Sequence, residues 1–234
     1  MMDAAVLRAV FQSLLASYGP QHWWPGETPF EVMVGAVLTQ NTAWANVEKA
    51  IANLKREDCL DPAAIVNLPD GQLAELLRPS GYFNIKAGRL KSFCAWYLDR
   101  GCYEALVAMD TLTLRHNLLA VHGIGYETAD DILLYAFDRP VFVIDAYTRR
   151  LFTRLGLIQG SESYETLRHG IESVLGKDVP LFNEYHALIV RHAKEVCQKR
   201  PACGRCGLAS LCPYAGVADP TFQPPLVYPT LSRA

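Results

Sequence analysis

Residues 118–150, LLAVHGIGYETADDILLYAFDRPVFVIDAYTRR, decide how the rest of the chain is read. At their centre Gly123-Ile124-Gly125 forms a turn, because glycine reaches backbone angles that side chains forbid. A helix follows: Ala129, Ile132, Leu133, Ala136 and Phe137 recur at helical spacing, and Pro140 stops the pattern. The turn therefore precedes a helix N-terminus, where unpaired amides and the positive end of the helix dipole suit an anion such as a backbone phosphate. A lone Gly-x-Gly is a weak motif, and it also serves an ordinary turn between two core helices. Beyond Pro140 the apolar run Val141-Phe142-Val143-Ile144 leads to Asp145 and then to an amphipathic segment holding Tyr147, Thr148, Arg149, Arg150, Leu151 and Phe152. Asp145 stands where a helix N-cap belongs. Capping and chemistry are compatible there, since amide hydrogen bonds and a helix dipole favour the ionised carboxylate.

With 234 residues, half of them hydrophobic, the chain can bury one or two cores. No apolar run reaches membrane-spanning length, and the first residues read as an amphipathic helix with Asp3 near its start rather than as a cleavable signal. A cytoplasmic protein is expected, nucleoid-associated if bacterial, monomeric and without a membrane partner. The net charge of −2 does not announce a nucleic-acid binder, so charge has to be read locally. Arg149, Arg150 and Arg154 share a helical spacing, and Arg191, Lys194, Lys199, Arg200 and Arg205 crowd the late cysteines. Either group can meet phosphates or simply form a solvated face.

Of seven cysteines, Cys59, Cys94 and Cys102 are scattered among apolar residues and behave as small hydrophobes. Cys197, Cys203, Cys206 and Cys212 instead form C-x5-C-x2-C-x5-C in a stretch that also holds Pro201, Gly204, Gly207 and Pro213. In a chain read as cytosolic, disulfides are disfavoured, which leaves zinc or an iron–sulfur cluster. Structural zinc sites tend to use two separated short knuckles, whereas one C-x-x-C flanked by longer arms suits a bulkier [4Fe–4S] cube, the favoured reading.

Upstream, His22-Trp23-Trp24-Pro25-Gly26 breaks the first helix and puts two tryptophans on a loop, either as a small satellite core or for use. From Phe30, the positions Met33, Val34, Val37 and Leu38 trace a helix face that runs into Thr39-Gln40-Asn41-Thr42-Ala43-Trp44. Between Ala45 and Ala120 helical stripes alternate with breakers at Asp61-Pro62, Pro69-Asp70-Gly71, Pro79-Ser80-Gly81 and Gly101. Long β-type alternation and internal repeats are absent, so the class is all-α. A helix around Leu181 to Cys197 carries His186 and His192, whose type and setting suit packing or hydrogen bonding better than metal ligation. Residues 218–234, with four prolines, read as an extended or disordered tail.

Taken together, the Gly-Ile-Gly turn, the following aspartate and the four-cysteine loop resemble the endonuclease III superfamily of DNA glycosylases. The resemblance implies an all-α, two-domain fold: a six-helix barrel domain over 27–139 and a cluster domain formed by 1–26 with 140–217, with the active site in the cleft between them. It implies that Asp145 is the catalytic aspartate, that Gly123, Gly125 and Thr128 belong to the phosphate-gripping hairpin with Arg149 nearby, and that Cys197, Cys203, Cys206 and Cys212 hold the cluster. Their first spacing is one residue shorter than the family's usual one. Gln40 matches a position that fills the gap left by a flipped nucleotide, and Tyr82 matches a second wedge loop; read from residues alone, they are equally a polar helix end and a core aromatic.

Two features point to a branch. Trp-Trp-Pro at 23–25 with Val-Leu-Thr-Gln-Asn-Thr-x-Trp at 37–44 is similar to the 3-methyladenine DNA glycosylases, so Trp23, Trp24, Pro25 and Trp44 are base-pocket candidates along with Glu127. An alkylated purine is cationic, and a cation held between aromatic faces gains electrostatic and stacking energy. Glu127 stands where bifunctional relatives carry a lysine, and a carboxylate cannot form a Schiff base. The expected activity is monofunctional: water-driven removal of a damaged base, such as 3-methyladenine, from double-stranded DNA. The alternatives are a bifunctional glycosylase and AP lyase for oxidised pyrimidines, or a non-catalytic DNA-binding module.

Overall fold

A computed structural model of the chain describes residues 3–218, and these are all helix and connection, with no strand among them. Polar residues start several of the helices by accepting amide hydrogen bonds that the first turn cannot satisfy internally. Asp3 accepts from the Ala5 amide at 2.8 Å to begin α1 (Ala4–Tyr18), and Thr28 accepts from Glu31 at 3.2 Å to begin α2 (Pro29–Leu38). After α3 (Trp44–Arg56), Asp61 caps α4 (Pro62–Asn67) through the Ala64 amide. The Pro69-Asp70-Gly71 breaker marks a helix start, because α5 (Asp70–Leu77) takes Asp70 and Gly71 into its first turn behind Pro69. A 3-10 turn over Arg78–Ser80 precedes α6 (Phe83–Asp99) and α7 (Cys102–Val107).

The quoted stretch becomes a helical hairpin. Asp110 caps α8 (Thr111–Leu119), the turn at 121–125 reverses the chain, and α9 (Tyr126–Ala136) follows. An extended run through Val141–Ile144, buried at every residue, leads to α10 (Ala146–Arg154). Then come α11 (Tyr164–Leu175), α12 (Val179–Glu195), two 3-10 turns among the cysteines, and α13 (Pro213–Ala218). Of the tail expected at 218–234, all but Ala218 lies outside the described residues.

Two compact units are formed, one from residues 24–143 and one from the described residues 3–23 and 144–218. In the first, α2 is buried along Glu31–Leu38 and α9 from Thr128 to Ala136, and the two pack on each other. Helices covered on all sides need apolar residues all round, which is what both sequences supply apart from Glu31, Thr128, Asp130 and Asp131. Asp130 is paired: Arg115 on α8 grips it with two hydrogen bonds of 2.6 and 3.0 Å, joining the arms of the hairpin in the core. In the second unit α12 packs on α1 and α10, and the buried Tyr185 hydroxyl donates to the Leu7 carbonyl at 2.8 Å. Arg150 and Arg154 are committed inside this unit. Their guanidinium groups donate to the carbonyls of Ala193, Cys197, Gln198 and Lys199 and so pin the end of α12 and the start of the cysteine loop.

Candidate active site

Asp145 is the N-cap of α10 and is 7% exposed. One carboxylate oxygen accepts from the Thr148 amide at 2.6 Å, and the amide of Ile144 just ahead donates to the Tyr164 hydroxyl at 3.3 Å. The other oxygen lies 3.7 Å from Nε2 of His186, a buried histidine on α12. Burial works against the charged carboxylate, but the nearby His186 side chain, followed by the Thr148 amide, outweighs it and holds Asp145 below the ordinary carboxylate range. On the same helix, burial holds the Lys194 ammonium below its ordinary value, an effect the charge of Asp145 offsets only in part. Trp23 meets the His186 ring edge to face, with centroids 6.3 Å apart. His186 was not among the expected site residues, although its place on the stripe Phe182, Tyr185, His186, Ile189, Val190 and Ala193 marks it as a polar group on a buried helix face.

Trp23 belongs to the unit that holds Asp145, whereas Trp24 and Trp44 belong to the other and pack on each other at 90° with centroids 5.2 Å apart. Perpendicular rings in contact leave no slot for a planar base between them, so Trp24 and Trp44 cannot sandwich one in this arrangement. Tyr135 of α9 joins them, 5.0 Å from Trp24. This packing depends on Gly35, where an added Cβ would stand 3.1 Å from Trp24 Nε1 and 3.2 Å from the Trp44 ring. Pro25 is exposed on the loop that follows Trp24.

In the hairpin turn only Gly123 uses the left-handed freedom of glycine, at φ +87°, and a Cβ there would collide with the stem of Arg89. Gly125 departs from expectation. It has extended angles that any residue adopts, caps α9, and has nothing within 4 Å of the place its Cβ would take. Its lack of a side chain means that the N-cap residue gives α9 no side-chain cap. Glu127 is exposed in that first turn, one residue after the half-exposed Tyr126. Thr128 is buried and accepts a 3.0 Å hydrogen bond from the Gln40 amide, which also donates to the Gly123 carbonyl at 3.2 Å. Gln40 therefore lies beyond the Thr39 C-cap of α2 as a brace against the hairpin. Tyr82 is no core aromatic: it is 68% exposed and holds a left-handed conformation at the N-cap of α6. Arg149 donates to the Glu162 carbonyl at 2.9 Å.

Cys197, Cys203, Cys206 and Cys212 wall a single recess with about 330 Å³ of empty space, closed by Leu151, Leu155, Val196 and Leu208. Arg154 donates to the Cys197 sulfur at 3.2 Å, and burial pushes the Cys206 thiol up to about 11 and that of Cys212 in the same direction. Among the described residues no three cysteine, histidine or acidic side chains converge on the position of one metal ion. Thiols spread around a recess in this way, with no oxygen ligand among them, suit a bulky thiolate-bound cluster better than a single tetrahedral ion.

A helical hairpin whose second helix starts at a glycine, followed by a buried capping aspartate and a four-cysteine loop, defines a class. The chain belongs to the HhH-GPD superfamily of base excision DNA repair proteins, whose family model matches residues 34–177. Within it the protein is a DNA glycosylase. It is 48% identical over 206 residues to a protein of Methanocaldococcus jannaschii assigned to the DNA repair glycosylases, covering 87% of this chain and 94% of that one. It is 27% identical over 187 residues to endonuclease III of Sulfolobus acidocaldarius, covering 79% and 82%. Among solved structures it resembles the 3-methyladenine DNA glycosylase of H. pylori bound to 1,N6-ethenoadenine, with a TM-score of 0.71 and 32% identity over 83% of this chain and 98% of that one. A non-covalent endonuclease III–DNA complex shares the fold, with a TM-score of 0.80 at 22% identity over 93% and 98% of the two chains. No helix among the described residues is long and apolar enough to cross a membrane.

Proposed function

We propose that the protein is a monofunctional glycosylase that removes alkylated purines, 3-methyladenine foremost, from double-stranded DNA. The observation that carries this reading is the pairing of a buried, ionised Asp145 with a glutamate rather than a lysine at position 127. Asp145 is fixed by the Thr148 amide and His186, so its charge is oriented before substrate arrives. As the glycosidic bond breaks, the carboxylate stabilises the positive charge developing on the sugar and orients or deprotonates the attacking water. The base leaves with the bonding electrons, which an already cationic alkylated purine accepts readily, so no strong general acid is required. The N-terminus of α9, which has no side-chain cap, takes a backbone phosphate, and the loops that carry Gln40 and Tyr82 approach the duplex. With perpendicular Trp24 and Trp44 unable to sandwich a base, Trp23, which stands on His186 in the unit of Asp145, is the aromatic assigned to stack on it.

Cys197, Cys203, Cys206 and Cys212 would hold a [4Fe–4S] cluster. When bound, the cluster cross-links the chain after α12 and adds charge beside Arg154; it takes no part in bond breaking.

Asp145→Asn tests the assignment cleanly, because asparagine caps a helix as well as aspartate does. The variant should bind methylated duplex DNA as the parent does but release 3-methyladenine at least about a thousandfold more slowly. Release at the parent rate would overturn the role of Asp145. Borohydride trapping of a protein–DNA adduct would overturn monofunctionality, and Lys194 is then the amine to replace first.

A further inference from the structure

Helix α6 carries two basic residues one turn apart, Lys86 and Arg89, that face inward. Lys86 is 1% exposed, a core position for a residue that usually reaches water. Its ammonium donates to the Leu38 carbonyl at 2.9 Å and to the Ser80 carbonyl at 2.6 Å. Leu38 ends α2 just before Gln40, and Ser80 stands just before Tyr82. One buried cation thus ties together the two loops that carry Gln40 and Tyr82. Arg89 adds the third. Its guanidinium donates to the Gln40 side-chain oxygen, and its aliphatic stem fills the space under Gly123 that a Cβ would need. The nitrogen of the same Gln40 amide donates to Gly123 and Thr128, so both ends of the amide are held.

Three loops are therefore braced from one helix face, and nothing in the chemistry of base removal requires this. It is what a strand-opening device requires: a loop that enters a duplex must stand at a fixed distance from the loop that grips the backbone, or binding energy at one is not delivered at the other. We infer that Arg89, backed by Lys86, is a positioning residue for strand opening, locking the Gln40 loop to the Gly123–Gly125 turn so that a phosphate held by the turn sets how far that loop enters the helix. The inference rests on the proposed contact of the turn and of Gln40 with duplex DNA, and it does not depend on which base is removed.

The test uses a duplex with an abasic-site analogue flanked by 2-aminopurine, whose fluorescence rises when stacking is lost, together with anisotropy to follow binding. Arg89→Met keeps the stem beneath Gly123 and removes the donor; Arg89→Lys keeps a donor. The parent should raise the fluorescence at saturation. Arg89→Met should bind within about threefold of the parent yet give less than about a third of the rise, because the energy of unstacking is no longer delivered, and Arg89→Lys should recover most of it. An unaltered melting temperature in the methionine variant separates this from simple loss of fold. A full rise in saturated Arg89→Met, or no rise in the parent, would overturn the inference. A parent that unstacks the probe but releases no alkylated purine would overturn the proposed substrate and leave the role of Arg89 standing.

Discussion

At the scale of single residues the proposed chemistry turns on Asp145 and the histidine beside it. The folded pKa of Asp145 is lowered, so its ionised form stabilises the fold above the ordinary carboxylate range, and that stability is lost only as pH falls through the lowered value. The acid limb of the excision rate should accordingly lie below the range of a free aspartate. His186→Phe keeps an aromatic ring and removes the principal group that opposes the cost of burial. Its acid limb should move to higher pH, and kcat/KM at neutral pH should fall by about tenfold, as expected for the loss of roughly 1.4 kcal/mol of transition-state stabilisation. A pH–rate profile that superimposes on that of the parent would remove His186 from the mechanism. Asp145 was legible in the sequence because a cap sits at a fixed place relative to its helix. His186 was not, because it reaches Asp145 only when α12 packs on α10, and 41 residues of chain separate the two.

At the scale of the element, the hairpin turn separates two glycines that look equivalent in Gly-Ile-Gly. Gly123→Ala forces a side chain into left-handed backbone, at a cost of about 1–2 kcal/mol before the Arg89 stem is displaced. Its melting temperature should fall by about 4 °C or more. Gly125→Ala meets no neighbour and no forbidden angle, and should cost only about 0.5 kcal/mol as a poorer cap. Its methyl group would instead stand at the start of α9, where the phosphate is proposed to bind, so duplex binding should weaken while the melting temperature barely moves. Equal thermal effects in the two variants would contradict this division. The sequence marked the turn itself, since glycine spacing and helical periodicity are local. It left open which glycine carries the strain, because that depends on where Arg89 of a helix more than thirty residues upstream lays its stem.

At the scale of the whole chain, the cysteine loop joins α12 to α13 and leans on Arg150 and Arg154 from α10. Cys206→Ser should abolish the visible absorption of a [4Fe–4S] protein and lower the melting temperature by about 10 °C, on the order of 3 kcal/mol at this chain length. A colourless parent containing stoichiometric zinc would refute the cluster. By itself the sequence determined the helical class, the hairpin, the capping aspartate, the glutamate at 127 and the clustering of four late cysteines. Each of these is a matter of residue type at short spacing, and helical period, caps and turns are set by neighbours in the chain. Tertiary structure decided the rest. Trp23 and Trp24 are adjacent in sequence yet belong to different units; Trp44 turns its ring across Trp24 and closes the expected slot; Gln40 is held by Arg89 and Thr128; and Arg150 and Arg154 serve the cysteine loop. Side-chain partners of this kind are chosen by packing between distant segments, where burial leaves a polar group only the donors and acceptors that the fold brings within reach.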